Sequence, residues 1–233
     1  MNLIDLSTVP NTDDNFMSFL DTLCESLEFE YASYATTHPI TGDVQGYANY
    51  PDRWKLHYAK RGMHRVDPTL YQSARSIAPV DWGRFTEHPH FKSVFNDARD
   101  FGITNCGLTV PIRGPYGECG LLSVTRNCDA HEWNLLKKKV VGDLQFAAVH
   151  MHDNVMRSGV LHKALQRPAL SARELQILQW VAAGKSQQDI GDILSISHRT
   201  VEVHLRSGRQ KLSALTTAQA VGRAIGLGLI HPS

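Results

Sequence analysis

Phe16, Leu20, Leu23 and Leu27 recur every three or four positions, and this period predicts a helix over residues 13–29 that buries one face. The period then changes. Residues 31–37 are rich in β-formers and small side chains and predict a strand. Residues 39–46 read as a turn-rich loop and residues 47–50 as a second strand. Pro51 opens a helix, where its missing N–H does no harm, and Trp54 and Tyr58 lie one turn apart on it. Asp67-Pro68 begins another helix that runs through Ser76. Residues 80–82 read as extended, and residues 91–101 as a helix ended by Gly102. Residues 108–113 and 119–125 flank the turn Gly114-Pro115-Tyr116-Gly117, which is a hairpin signal. From Ala130 to about Asn154, Trp133, Leu136, Val140, Val141, Leu144 and Ala148 mark a long helix. This order predicts an α+β fold: an N-terminal α–β–α sandwich around an antiparallel sheet. Residues 154–169 have weak periodicity, carry Pro168 near their end, and read as a linker.

From Leu170 to Ile230 three helix signals follow one another with very short joints. Ser171 with Glu174 three residues later is a capping box. Leu175, Leu178, Val181 and Ala182 give the first helix its apolar face, and Gly184 stops it. Ser186 caps a second helix, with Asp189 near its positive end and Ile190, Ile193 and Leu194 as its buried side. Residues 195–197 form a tight turn, and a third helix runs to about Leu212. That helix has two stripes. Val201, Leu205, Gly208 and Leu212 form the apolar one. Arg199, Glu202, Arg206 and Arg209 form the other. An apolar stripe on two preceding helices with arginines outside is the content of a helix-turn-helix. Spacing alone leaves two readings open: a DNA reader, or the solvated face of a small helical bundle.

Charge changes the picture modestly. The 233 residues carry a net charge of +1. Residues 168–233 hold seven Lys/Arg against four Asp/Glu, giving +3; residues 1–167 hold seventeen against nineteen, giving −2. This fits a basic reader attached to a near-neutral sensing module. A charge of +3 gives one copy limited affinity for DNA, which argues for two copies on one duplex. Cys24, Cys106, Cys119 and Cys128 show no metal spacing and read as free buried thiols. No leader pattern opens the chain and no apolar run approaches about 18 residues, so the expectation is a cytoplasmic protein without a membrane span.

Between Tyr50 and Trp82 the chain concentrates aromatics around one carboxylate: Tyr50, Trp54, Tyr58, Asp67 and Trp82. Core packing and helix capping account for these residues more simply than a binding site does.

The run from Leu170 to Ser186, with Asp189 to Leu205 and the closing Gly228-Leu229-Ile230, closely resembles the DNA-binding domain of LuxR-type transcription regulators. The resemblance covers about 60 residues and includes Glu174, Leu178, Gly184, Thr200-Val201 and His204. Ser207 departs from it, standing where the family usually has Asn, and Gly208 sits mid-helix at a cost of about 1 kcal/mol. The aromatic–carboxylate constellation, with Gly107 and Thr109-Val110-Pro111, resembles the acyl-homoserine-lactone-binding domain that precedes this DNA reader in quorum-sensing members. That likeness covers most of residues 15–155. Met63 stands where an aromatic is common, and residues 103–107 run one residue longer than usual.

The resemblance implies roles. Trp54 donates to the lactone carbonyl, Asp67 accepts the amide N–H, and Tyr50 donates to the amide carbonyl. Ser123 bonds near the amide and the 3-position of the tail, while Tyr58 and Trp82 wall the ligand. Arg199, Arg206 and Arg209 contact DNA, with Thr200 at the backbone and Glu202 accepting from cytosine. The ligand is an N-acyl-homoserine lactone and no cofactor is expected. The partners are a second copy and a palindromic double-stranded operator, with RNA polymerase beyond them. Residues 1–155 then form the ligand-binding and dimerisation domain, 156–169 the linker, and 170–233 a four-helix DNA-binding domain. Residues 1–125 lack the acidic cluster and alternating βα units of a phosphate-receiving domain. No Gly-x-Ser-x-Gly, phosphate loop or His/Cys ligand set points to an enzyme. His150 and His152 are two apart, so on a helix they point away from one another, and His88 and His90 around Pro89 read as structural or solvated. Acyl length, the sign of regulation and the need for ligand in dimerisation are left open by these residues.

Overall fold

The computed structural model describes residues 3–5, 16–37, 43–114, 118–158 and 168–231. The chain divides into two compact units, one carried by residues 1–114 and 119–164 and the other by residues 115–118 and 165–233.

The first unit is built on a sheet of six strands among the described residues: β1 (Leu3–Asp5), β2 (Tyr31–Thr37), β3 (Val44–Ala48), β4 (Val80–Asp81), β5 (Gly107–Arg113) and β6 (Cys119–Thr125). Their order is β1-β3-β2-β6-β5-β4. Every pairing is antiparallel except the short edge strand β1, which runs parallel to β3. The helices are α1 (Phe16–Leu27), α2 (Asp52–Lys60), α3 (Pro68–Tyr71), α4 (Pro89–Arg99) and α5 (Ala130–Arg157). Alternation along β2 decides the layering. Ala32, Tyr34 and Thr36 are buried on the side where Tyr34 bonds His152 of α5 and its strand neighbour Tyr47 meets Phe16 of α1. Ser33 and Ala35 alternate with them and line a cavity together with residues of α2 and α4. The α–β–α sandwich expected from the element order is the fold.

Several expected boundaries move. β3 begins at Val44, inside the stretch read as a loop, and ends at Ala48. The helix after Asp67 gives way to a 3-10 turn over Ser73–Arg75. α5 runs to Arg157, so residues 154–157 are helical and Val155 is buried. His88 caps α4, its Nδ1 accepting from the His90 backbone N–H. His152 is buried, with Nδ1 2.7 Å from the Tyr34 hydroxyl. Of the four free cysteines, Cys24 and Cys119 are buried, whereas Cys106 and Cys128 are half-buried. The expected turn at residues 115–117 lies outside the described residues, as do residues 159–167 of the expected linker.

The second unit contains α6 (Ala172–Ala182), α7 (Gln187–Leu194), α8 (His198–Lys211) and α9 (Thr217–Gly226). Capping boxes at Ser171/Glu174 and Ser186/Asp189 start α6 and α7. Ser197 caps α8 and Thr216 caps α9. Ile177, Leu178, Ile190, Val201, Leu205 and Leu212 meet Ala220, Ala224, Leu227 and Ile230 in one core. Burial of apolar surface of this kind is the main force holding so small a unit together. Ile193 was expected in that core but is 45% exposed. An eight-residue helix has barely two turns, so one wrong phase moves a residue from the inner face to the outer.

Among the described residues no helix is long and apolar enough to cross a membrane, and no cluster of His, Cys, Asp or Glu could hold a metal ion.

Candidate ligand cavity and DNA-facing helix

A cavity of about 410 Å³ lies in the first unit between the sheet and the helices α2 to α4. Tyr50, Trp54, Tyr58, Asp67, Trp82 and Ser123 all line it. The chain reaches it by different routes. Trp54 and Tyr58 stand one turn apart on α2, Asp67 caps α3, Trp82 follows β4, and Ser123 points from β6. Apolar neighbours Val94, Phe95, Leu70 and Ile103 complete the wall. This volume and lining suit a small, mostly apolar molecule held by a few aimed polar groups.

Asp67 is the polar centre. Its Oδ2 accepts from the Tyr58 hydroxyl at 2.9 Å, and its Oδ1 accepts from the Thr69 backbone N–H at 2.9 Å and the Thr69 hydroxyl at 2.7 Å. Burial pushes the Asp67 carboxyl up, and the bonds from Thr69 and Tyr58 pull the other way. Burial, and then the Asp67 charge, hold the Tyr58 hydroxyl well above its ordinary range. Burial likewise raises Tyr50.

A second polar chain crosses the sheet side. The Trp82 indole N–H donates to Thr109 Oγ1 at 2.8 Å, and Thr109 Oγ1 lies 2.9 Å from Ser123 Oγ. Thr109 and Ser123 face each other across β5 and β6. Trp82 closes over Gly107, where any Cβ would fall on its six-membered ring. Trp54 sits in another aromatic group, with the ring of Tyr58 5.5 Å away and that of Phe101 5.4 Å away. Met63 is buried in the same cluster.

In the second unit Arg199, Glu202 and Arg206 are exposed on α8, while Arg209 and Thr200 are half-buried. Val203 lies among them, 51% exposed. The opposite side of α8 buries Val201, Leu205 and Gly208. Three of the seven cations of residues 168–233 are used within the fold. Arg173 donates to the Leu194 carbonyl, Arg223 to that of Leu212, and Lys211 pairs with Glu174 at 2.8 Å. Lys185, Arg199, Arg206 and Arg209 form no ion pair among the described residues.

Two family profiles match the chain: an autoinducer binding domain over residues 12–155, and the LuxR family of bacterial regulatory proteins over residues 168–224. The chain belongs to the LuxR family.

Its LuxR-family relatives agree. It is 34% identical over 195 residues to the putative HTH-type transcriptional regulator y4qH of Sinorhizobium fredii, spanning 81% of this chain but only 58% of that one. It is 36% identical over 171 residues to the transcriptional activator protein RaiR of Rhizobium etli, covering 73% and 71%. The crystal structure of Escherichia coli SdiA superposes with a TM-score of 0.79 at 27% identity, covering 96% of this chain and 94% of that one. SdiA has also been solved in complex with octanoyl-rac-glycerol, with a TM-score of 0.70 at 25% identity over 95% and 91%. y4qH and RaiR are named as regulators of transcription, and the chain is a LuxR-type regulator with an autoinducer-binding domain, not an enzyme.

The amino-acid pattern does not single out Thr69, and Thr109 enters it only as part of a motif. Thr69 had a usable signal: a residue two places after an Asp-Pro cap is where its backbone N–H meets the carboxylate. Thr109 meets Trp82 and Ser123, partners far along the chain that spacing does not reveal.

Proposed function

We propose that this LuxR-type regulator senses an N-acyl-homoserine lactone in the cavity of its first unit and, as a homodimer, reads a palindromic operator with two copies of α8. One observation carries the reading: every head-group residue that the family resemblance implied lines one cavity. Trp54 donates to the lactone carbonyl, Asp67 accepts the amide N–H, and Tyr50 donates to the amide carbonyl. Ser123 bonds near the 3-position, and Tyr58 and Trp82 wall the molecule. Asp67 is buried, so an unmatched ligand that leaves its amide-facing side without a donor binds poorly.

Residues 1–155 sense and dimerise, 156–169 link, and 170–233 read DNA. An exposed stripe on α5 supports a homodimer. Leu135, Phe146 and Val149 stand open on one side of the helix, with the exposed Gly142 between them. Arg199, Arg206 and Arg209 contact the duplex, Thr200 its backbone and Glu202 a cytosine, with half-sites about 10 bp apart. Activation, by way of RNA polymerase in the cytoplasm, is the sign that the name of RaiR favours.

The test is a thermal-shift panel of purified protein against lactones of varied acyl length and 3-substituent, repeated with Trp54→Phe and Asp67→Asn. A large shift for one chain class, lost in both variants, is expected, because ligand bound only to the folded state raises its stability. No shift for any lactone with a folded protein would overturn the reading. The SdiA–octanoylglycerol complex favours a second reading, an acyl chain on a non-lactone head, so acylglycerols belong in the panel.

A further inference from the structure

Trp54 is held from behind by a clamp that no cavity role explains. His57, one turn along α2, stacks on the Trp54 indole with centroids 5.9 Å apart and planes 25° apart. The His57 ring is itself fixed. Its Nε2 lies 2.9 Å from Asp97 Oδ2 on α4, and its ring centroid lies 5.1 Å from that of Phe101. Phe101 also touches Trp54. The Arg61 Nε lies 3.8 Å from the same Asp97 oxygen, so two side chains of the α2 region converge on one carboxylate. His57 does not line the cavity.

A buried indole turns about a broad terminal torsion, and its N–H aims at one point only if neighbours block the other settings. Tyr58 blocks one side of Trp54. The His57 ring blocks another, and its bond to Asp97 keeps it there. We propose that His57 is a positioning residue: held by Asp97, it aims the Trp54 indole N–H at the ring carbonyl of the ligand. This rests on the reading that Trp54 donates to a lactone carbonyl. It goes further in assigning ring selectivity to a side chain outside the cavity.

The experiment compares two probes with the same acyl chain, using full-length protein. One is the N-acyl-homoserine lactone with the largest thermal shift. The other is the N-acyl cyclopentylamide, which keeps the amide and the five-membered ring but has no ring carbonyl. Parent protein should prefer the lactone by about tenfold, the worth of one well-aimed hydrogen bond. His57→Ala should bring that ratio close to one while leaving the affinity for cyclopentylamide within about threefold. His57→Gln, which can still bond Asp97, should recover part of the preference. Should His57→Ala not fold, Asp97→Ala cuts the same clamp from α4 and should lower the ratio likewise. Equal losses for both probes would mean a merely structural histidine and would overturn the proposal, as would an unchanged ratio. A different failure is separable. If parent does not distinguish the probes, or Trp54→Phe keeps the parent ratio, the Trp54 reading itself falls and takes this inference with it.

Discussion

The Ser207 hydroxyl donates to Glu174 Oε1 at 2.6 Å, which ties the middle of α8 to the first turn of α6. Ser207 therefore faces the interior of its unit and not the outward stripe of α8. The other Glu174 oxygen accepts from the Ser171 backbone N–H at 2.6 Å and from Lys211 at 2.8 Å. One carboxylate thus closes the capping box and anchors α8 at two points.

This arrangement predicts acid sensitivity. Burial alone would raise the Glu174 carboxyl, but the bonds from Lys211, Ser207 and Ser171 outweigh it and bring it down to about 2. In the unfolded chain the group returns to about 4.3. A depressed carboxyl stabilises the fold above the unfolded value and loses that contribution as pH falls through the folded one. Calorimetric unfolding should therefore show the second unit losing stability between about pH 4.5 and 2. Glu174→Gln should cost about 1–3 kcal/mol at pH 7 and flatten that slope. An unchanged pH profile would remove Glu174 from this role.

Trp82 and Ser123 both depend on one hydroxyl, that of Thr109. Thr109→Val removes the acceptor of a buried indole N–H while keeping the shape. Denaturant unfolding should register a loss of about 1–3 kcal/mol, and Thr109→Ser should restore most of it. Ligand affinity should fall with the first variant and not the second, since Trp82 and Ser123 line the cavity.

Gly107→Ala would place a methyl group on the ring of Trp82. Either the ring or the strand must move, at about 1–3 kcal/mol or more. Trp82 then leaves Thr109, so unfolding should come earlier and the ligand-induced thermal shift should shrink. A variant as stable as its parent, with a full shift, would show that the wall yields freely.

The two kinds of arginine in the second unit should separate cleanly. Arg206→Ala removes an exposed cation from α8. It should abolish operator binding in a fluorescence-anisotropy assay while leaving the melting temperature and ligand response intact. Arg173 instead donates to the Leu194 carbonyl at the end of α7. Arg173→Ala should lower the melting temperature, and equal operator affinity for Arg206→Ala and parent would refute the assignment of α8 as the reader.

Much of this was legible in the amino-acid order, for reasons that differ by residue. Ser171/Glu174 and Ser186/Asp189 are local signals, complete within four residues, and both caps form as read. Val201, Leu205, Gly208 and Leu212 are buried because a 14-residue helix shows its phase clearly. β3 was displaced because Gln45 and Gly46 are poor β-formers, and only pairing with β1 and β2 makes them a strand. The cavity residues were found through a family pattern; periodicity alone left them as core. The Thr109–Ser123 and His57–Asp97 pairs join residues 14 and 40 positions apart, distances at which only the folded backbone decides who meets whom.

The internal use of Arg173, Lys211 and Arg223 has a consequence for ions in solution. A cation bound to a carbonyl or a carboxylate displaces no counterion from a phosphate backbone. Arg199, Arg206 and Arg209 remain for that work in each copy, so the logarithm of operator affinity should fall against the logarithm of salt with a slope of about −2.7 per copy, or about −5 for a pair. With all seven cations engaged, the pair would reach about −13. The difference sets how the regulator searches. A shallow slope means a loose grip on random sequence, short residence at wrong sites, and a fast return to solution, so that occupancy of the operator follows the supply of active protein closely.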